Sequence, residues 1–309
     1  MESSSKKVIY AALVGNALIA ITKFIAAGVT GSSAMLSEGI HSTVDTSNEL
    51  LLLYGIHRAK KPADEFFPFG YGKEIYFWSF VVAIFIFAVG AGASLYEGIH
   101  HLYHPRPLEH AFANYIVLVL AMVFEGATWF VAFKEFSHQK GRRSYLEMVH
   151  RAKNPSVFVV LFEDSAALLG LLVAFLGILL GQLTGKTWYD GAASIVIGLL
   201  LAGTAIWLAY EIKGLLVGES AQPEVVRGIR RIAAGYPEIE HVNEVLTMHM
   251  GPEFILVNLS VDFKNRLSAD QVERTVQKLD YQIKQAYPLV KRVFIEGEAC
   301  RGADFMDRG

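Results

Sequence analysis

Six stretches of this chain, near residues 8–29, 33–57, 76–99, 112–133, 156–181 and 188–212, are apolar for long enough to cross roughly 30 Å of hydrocarbon. They read as six membrane-spanning helices. Composition agrees, since 53% of the 309 residues are hydrophobic and only 19% charged. The first stretch is too long for a signal peptide and continues through Gly28 and Gly31 into the second, so it is expected to stay attached. Lysine and arginine fall on one side of the spans (Lys6, Lys7, Arg58, Lys60, Lys61, Lys73, Lys134, Lys140, Arg142, Arg143, Arg151, Lys153), with Arg106 and Lys186 on the other. That asymmetry predicts a multi-pass protein with both termini in the cytoplasm. The lack of a transit-like N-terminus makes a bacterial cytoplasmic (inner) membrane the expected location. A net charge of −2, with its basic residues spread along loops, gives no surface for nucleic acid. Cys300 is the single cysteine, which excludes an internal disulfide and a cysteine-based zinc finger.

After the sixth stretch the composition turns to that of an ordinary soluble domain. This divides the chain into a six-span transmembrane domain, 1–214, and a cytoplasmic domain, 215–309. In the second, 222–236 reads as a helix with Pro223 in its first turn and 243–249 as a strand, followed by a turn at Gly251-Pro252. Phe254 to Phe263 alternates as a second strand, Ser268 caps a helix to about Ala286, and Val290 to Glu296 is a third strand. The expected fold is therefore an all-α six-helix bundle followed by an α+β domain of order αββαβ, ferredoxin-like. A core that small gains from pairing with a second copy.

Charged groups inside a span cost about 2.5–3.5 kcal/mol each on insertion scales, so those that persist usually line a polar pathway. Glu38, His41, Asp45 and Asn48 are spaced by three, four and three residues, which puts them on one stripe of the second helix. Imidazole and carboxylate four residues apart can grip one ion, and that ligand pair suits zinc or a similar borderline metal. The alternative is a hydrogen-bonding stripe that only joins helices. The fifth stretch carries Glu163 and Asp164, which point about 100° apart, and Asp164 is expected to face the stripe. The expected metal ligands are thus His41, Asp45 and Asp164, with water, Glu163, Glu38 or Asn48 completing the shell. The alternative for Glu163 and Asp164 is an ion pair with Lys23 of the first stretch. Lys23, Asn16 and Glu125 are candidates for proton relay or for pairing with Asp164.

The run Gly31-Ser32-Ser33-Ala34-Met35-Leu36-Ser37-Glu38-Gly39-Ile40-His41-Ser42-Thr43-Val44-Asp45 resembles the second-helix signature of the cation diffusion facilitator family. Pro62-Ala63-Asp64, Phe69-Gly70-Tyr71-Gly72-Lys73-Glu74 and Gly251-Pro252 are also similar to that family, and the likeness covers essentially the whole chain. It implies a homodimer, joined through the cytoplasmic domain and the spans, that exchanges a divalent cation for protons by alternating access. The family's second-span ligand pair maps onto His41 and Asp45. Its fifth-span histidine falls on Val160. The run Leu161 to Ala167 looks like the zinc transporter nine-like branch. The next loop keeps Asp64 but has Phe67 and Tyr71 in place of histidines, so no ion is expected there. The family's domain-interface sites fall on Asn243, Asn258, Glu296 and Glu298, and His241, His249, Glu296 and Glu298 remain as weaker candidates.

His100, His101, His104 and His110 crowd the loop after the third stretch and read as an interfacial turn. Gly181, Gly185, Lys186 and Thr187 miss phosphate-loop spacing by one residue, and no His-Glu-x-x-His occurs. The expected function is efflux of a divalent metal, zinc first and otherwise manganese, iron or cobalt, by metal/proton antiport and without a cofactor or an enzymatic activity. The competing expectation is a membrane-anchored metal sensor or scaffold that does not transport.

Overall fold

The computed structural model describes residues 2–105, 111–140 and 155–299. Arg106, His110, Arg142, Arg143, Arg151, Lys153 and Cys300 lie outside that range. The chain forms two compact units.

The first unit is helical: α1 (Glu2–Thr30), α2 (Ser33–Ala59), α3 (Glu74–Tyr103), α4 (Ala111–Lys140), α5 (Pro155–Thr184) and α6 (Trp188–Val217). Among the described residues, four of these contain a segment long and apolar enough to cross a membrane, in α3, α4, α5 and α6. Among the described side chains of α1 the apolar stretch is Asn16–Thr30. In α2 the ionisable stripe itself lowers the hydropathy, and Glu38, His41 and Asn48 are buried there.

Gly31 separates α1 from α2 at φ 70°, a conformation that glycine adopts without strain. Ser32 then caps α2 by accepting from the Met35 amide at 3.2 Å. Asp190, fully buried near the start of α6, accepts from the Ser32 hydroxyl at 2.6 Å and from the backbone amides of Ser33 and Ala34. A carboxylate there satisfies two orphan donors of α2 and complements its dipole, so α6 fixes where α2 begins. Further along, α3 and α6 approach through glycines. A Cβ on Gly98 would lie 2.8 Å from the Gly191 carbonyl oxygen, the close backbone contact that small residues permit in bundles of this kind.

α3 carries one turn of π-helix, Ile86–Ala91. Gly90 in this turn faces Val44 of α2 and Leu201 of α6. Apolar periodicity does not reveal such a turn, because the extra residue changes the phase and not the composition.

The second unit comprises Ala59–Glu74 and the chain from Gly214 onward. Its elements are α7 (Pro223–Ala234), β1 (Ile239–Gly251), β2 (Phe254–Phe263), α8 (Ala269–Ala286) and β3 (Val290–Gly297). The sheet order is β1-β2-β3, antiparallel between the first two strands and parallel between the last two. Ile229, Ala233, Val257, Leu259, Val261, Leu279 and Ile283 form a core between the helices and the sheet. Ser268 and Gln271 form a capping box at the start of α8. β1 begins four residues before the expected strand because bulges between Ile239 and His241 and between Val242 and Glu244 break the alternation that marks a strand.

Joined to this sheet is the loop between α2 and α3. A Cβ on Gly72 would lie 2.5 Å from the Met250 carbonyl oxygen, and Phe69 meets Phe294 edge to face at 6.5 Å. Asp64 builds the loop's own turn, accepting from the amides of Phe66 and Phe67, the Tyr71 hydroxyl and the Lys61 ammonium.

Candidate metal pathway of the helical unit

The stripe on α2 faces the interior. Glu38, His41 and Asn48 are buried, and Asp45 is half-buried. Asp45 lines a cavity with Asn16, Ser42, Glu49, Glu125, Glu163 and Asp164, so five carboxylates meet one space between α1, α2, α4 and α5.

His41 Nδ1 and Asp45 Oδ1 are 3.1 Å apart, yet neither atom has hydrogen-bond geometry toward any partner. Two ligands of a tetrahedral zinc held at 2.0–2.1 Å stand about 3.3 Å from each other, so this spacing fits a chelating pair. As placed, no three histidine, cysteine, aspartate or glutamate side chains among the described residues converge closely enough to hold one ion. For the pair to hold an ion, a third ligand would have to come from the cavity wall.

Glu163, and not Asp164, makes the direct contact from α5 to the stripe. It accepts from the Asn48 amide and lies beside Asp45, while Asp164 lines the same cavity. Two carboxylates side by side away from water repel, and either a proton or a cation between them relieves that repulsion. The ion pair expected as an alternative does not form, because Lys23 is committed elsewhere: to Glu38 at 3.1 Å, Glu125 at 2.9 Å and the Ser42 hydroxyl at 2.8 Å. The sequence reading missed Glu49, which accepts from Asn16 at 2.8 Å, although its position four residues after Asp45 was a signal for the same face.

The remaining candidates separate. His101 is buried, with Nε2 3.8 Å from Asp190, and His100 stacks on His104 at 4.7 Å between ring centres. In the second unit, His241 is exposed and His249 buried, eight residues apart on β1 and thus about 25 Å by strand rise, too far to share an ion. Asn258 donates to Glu296 at 3.1 Å, Ser260 donates to Glu298 at 2.8 Å, and Asn243 donates to the Glu298 backbone carbonyl at 3.0 Å. These groups are occupied with one another.

A family model described as the cation efflux transmembrane domain matches residues 9–217. The chain belongs to the cation diffusion facilitator family. It is 36% identical over 264 residues to the mitochondrial proton-coupled zinc antiporter SLC30A9 of Xenopus laevis, covering 84% of this chain and 47% of that protein. It is 27% identical to metal tolerance protein C4 of Arabidopsis thaliana, covering 86% and 59%, and 26% identical to the cation-efflux pump FieF of Klebsiella pneumoniae, covering 88% and 87%. This facilitator thus spans about half the length of the animal relatives that it matches. The expected bacterial inner membrane does not stand. The animal relatives at 35–36% identity are named as mitochondrial, and a plant protein follows them. The expectation rested on the N-terminus, and a chain that covers half of its relatives carries no such information there.

Proposed function

We propose that this protein moves divalent metal ions, zinc first, out of the compartment facing its lysine- and arginine-rich side, in exchange for protons. The observation that carries the reading is the cavity where Asp45, Glu163 and Asp164 meet beside the unbonded His41–Asp45 pair. Buried carboxyl and imidazole atoms without partners are expensive, and a dication is the partner that suits them. The names of the relatives, a zinc antiporter and a cation-efflux pump, support the same reading. Manganese, iron and cobalt are the other substrates that such an oxygen-rich set admits.

The chemistry of exchange follows from shared atoms. In this reading the metal-free site holds a proton on Asp45 or Glu163, on oxygens that a metal would use, so binding M²⁺ expels it and reprotonation releases the ion. His41 and Asp45 hold the ion, and Asp164 or Glu163 closes the shell with Asn48 or water beyond it. In this reading α1 and α2 also cross the bilayer, giving six spans over residues 1–214. The domain 215–309 is ferredoxin-like and pairs two copies. The chain is a transporter and not an enzyme.

The test is flux in liposomes that hold only this protein, with zinc and proton movement recorded together. Asp45→Ala, Asp164→Ala and Glu163→Ala should each lower zinc flux by about a hundredfold, the upper end of what an outer-shell partner alone costs. Proton counterflux should fall with it. Parental flux in Asp45→Ala or Asp164→Ala would remove the site, and the absence of any flux from the parent protein would leave the sensor or scaffold reading in its place.

A further inference from the structure

Among the described residues, Lys23 is the only lysine or arginine that is fully buried. An ammonium has three N–H donors, and all three are used: on Glu38 of α2, Ser42 of α2 and Glu125 of α4. Each of the two carboxylates keeps its other oxygen buried and unbonded. Glu125 faces the cavity with Asp45, Glu163 and Asp164, and Ser42 lines it too. Glu38 is accommodated by Gly170 of α5, where a Cβ would lie 2.5 Å from Glu38 Oε1. The lysine therefore sits at the rim of the cavity and holds two carboxylates that would otherwise be free to turn toward an ion.

We propose that Lys23 is a positioning residue for metal selectivity, which holds Glu38 and Glu125 away from the ion and so keeps oxygen ligands few around His41 and Asp45. This rests on the site proposed above. A small shell that includes an imidazole favours four-coordinate zinc, whereas additional carboxylate oxygens raise the coordination number and favour octahedral manganese. Lys23, Glu38 and Glu125 together carry one net negative charge. Lys23→Met with Glu38→Gln preserves that charge and releases Glu125 alone, so any change in selectivity does not come from altered net charge.

The experiment compares initial fluxes of Zn²⁺ and Mn²⁺, each supplied alone at equal concentration, in liposomes of the full chain. The variant Lys23→Met/Glu38→Gln should lower the zinc-to-manganese ratio by about tenfold, and adding Glu125→Gln should restore it. An unchanged ratio in the double variant overturns the proposal. So does failure of Glu125→Gln to restore it, or loss of zinc flux without any gain for manganese. Lys23→Arg keeps the charge and both ion pairs and should hold the parental ratio. A shift in that variant counts against the proposal even where the double variant does not fold. Asp45→Ala run alongside separates the two readings: zinc flux at the parental rate there removes the site itself, whatever Lys23 does.

Discussion

The two units of this protein bury ionisable side chains to different extents. In the helical unit, Glu38, His41, Asp45, Glu49 and Glu125 are drawn inward with atoms left unbonded. In the second unit the core is aliphatic, Glu296 and Glu298 accept from Asn258 and Ser260, and one carboxylate oxygen, on Glu238, is left buried and unbonded. A fold held by burial alone has no use for unspent carboxylate oxygens, which cost free energy wherever water is excluded. The contrast agrees with the proposal that the helices handle the ion while the sheet domain supplies shape.

The sharpest way to break that contrast is to injure the aliphatic core. Leu259 is fully buried in the middle of β2. Leu259→Ala should destabilise the sheet domain by about 2–5 kcal/mol through lost transfer energy and a cavity. Hydrogen exchange of the full chain would show it as accelerated exchange in β1, β2 and β3 with the amides around Asp45 unchanged. Equal acceleration around Asp45 would mean that the two units do not keep separate cores.

How much of this was legible in the sequence depends on periodicity. The α2 stripe was readable because polar residues at spacings of three and four stand out against an apolar background. The order of elements after residue 222 was readable from Pro223, the Ser268 cap and the alternation of β2. The orientation of α5 was not. A helix that is apolar all round gives no phase, so nothing local distinguished Glu163 from Asp164 as the residue touching the stripe. The π turn in α3 and the bulges in β1 escaped for a related reason, since each inserts a residue without changing composition. The partners of Lys23 escaped as well, because Glu125 lies 102 residues away and no spacing rule reaches it.

A smaller effect probes the loop that leaves α2 for the second unit. Gly72 packs against Gly251 so closely that a Cβ on either would lie about as near as backbone atoms can come, 2.5 Å from the Met250 oxygen or 3.0 Å from the Gly72 Cα. Gly72→Ala should therefore lift the loop off the sheet, at a cost of about 1–3 kcal/mol, as in other overpacked contacts. The readout is exchange of the amides from Lys61 to Lys73, which should quicken while β3 stays protected. Unchanged exchange would show that the contact is too soft to hold the loop.

The mildest perturbation is of charge alone. The Tyr71 hydroxyl, the Lys61 ammonium and the Phe67 amide hold the Asp64 carboxyl well below the usual carboxylate range, and Tyr71 and Asp64 in turn raise Lys61. The group's folded value lies below its unfolded one, so its contribution is fully present above about pH 4 and declines only as acid protonates it in the turn. The loop should accordingly keep its exchange protection from neutral pH down to about 4 and lose it below that. Asp64→Asn should weaken protection slightly at neutral pH and remove the acid-dependent step, because an amide accepts from fewer donors and does not titrate. A step of the same size in Asp64→Asn would place the sensitivity on another group. The ionised centre of this turn would then have no part in holding the loop to the sheet.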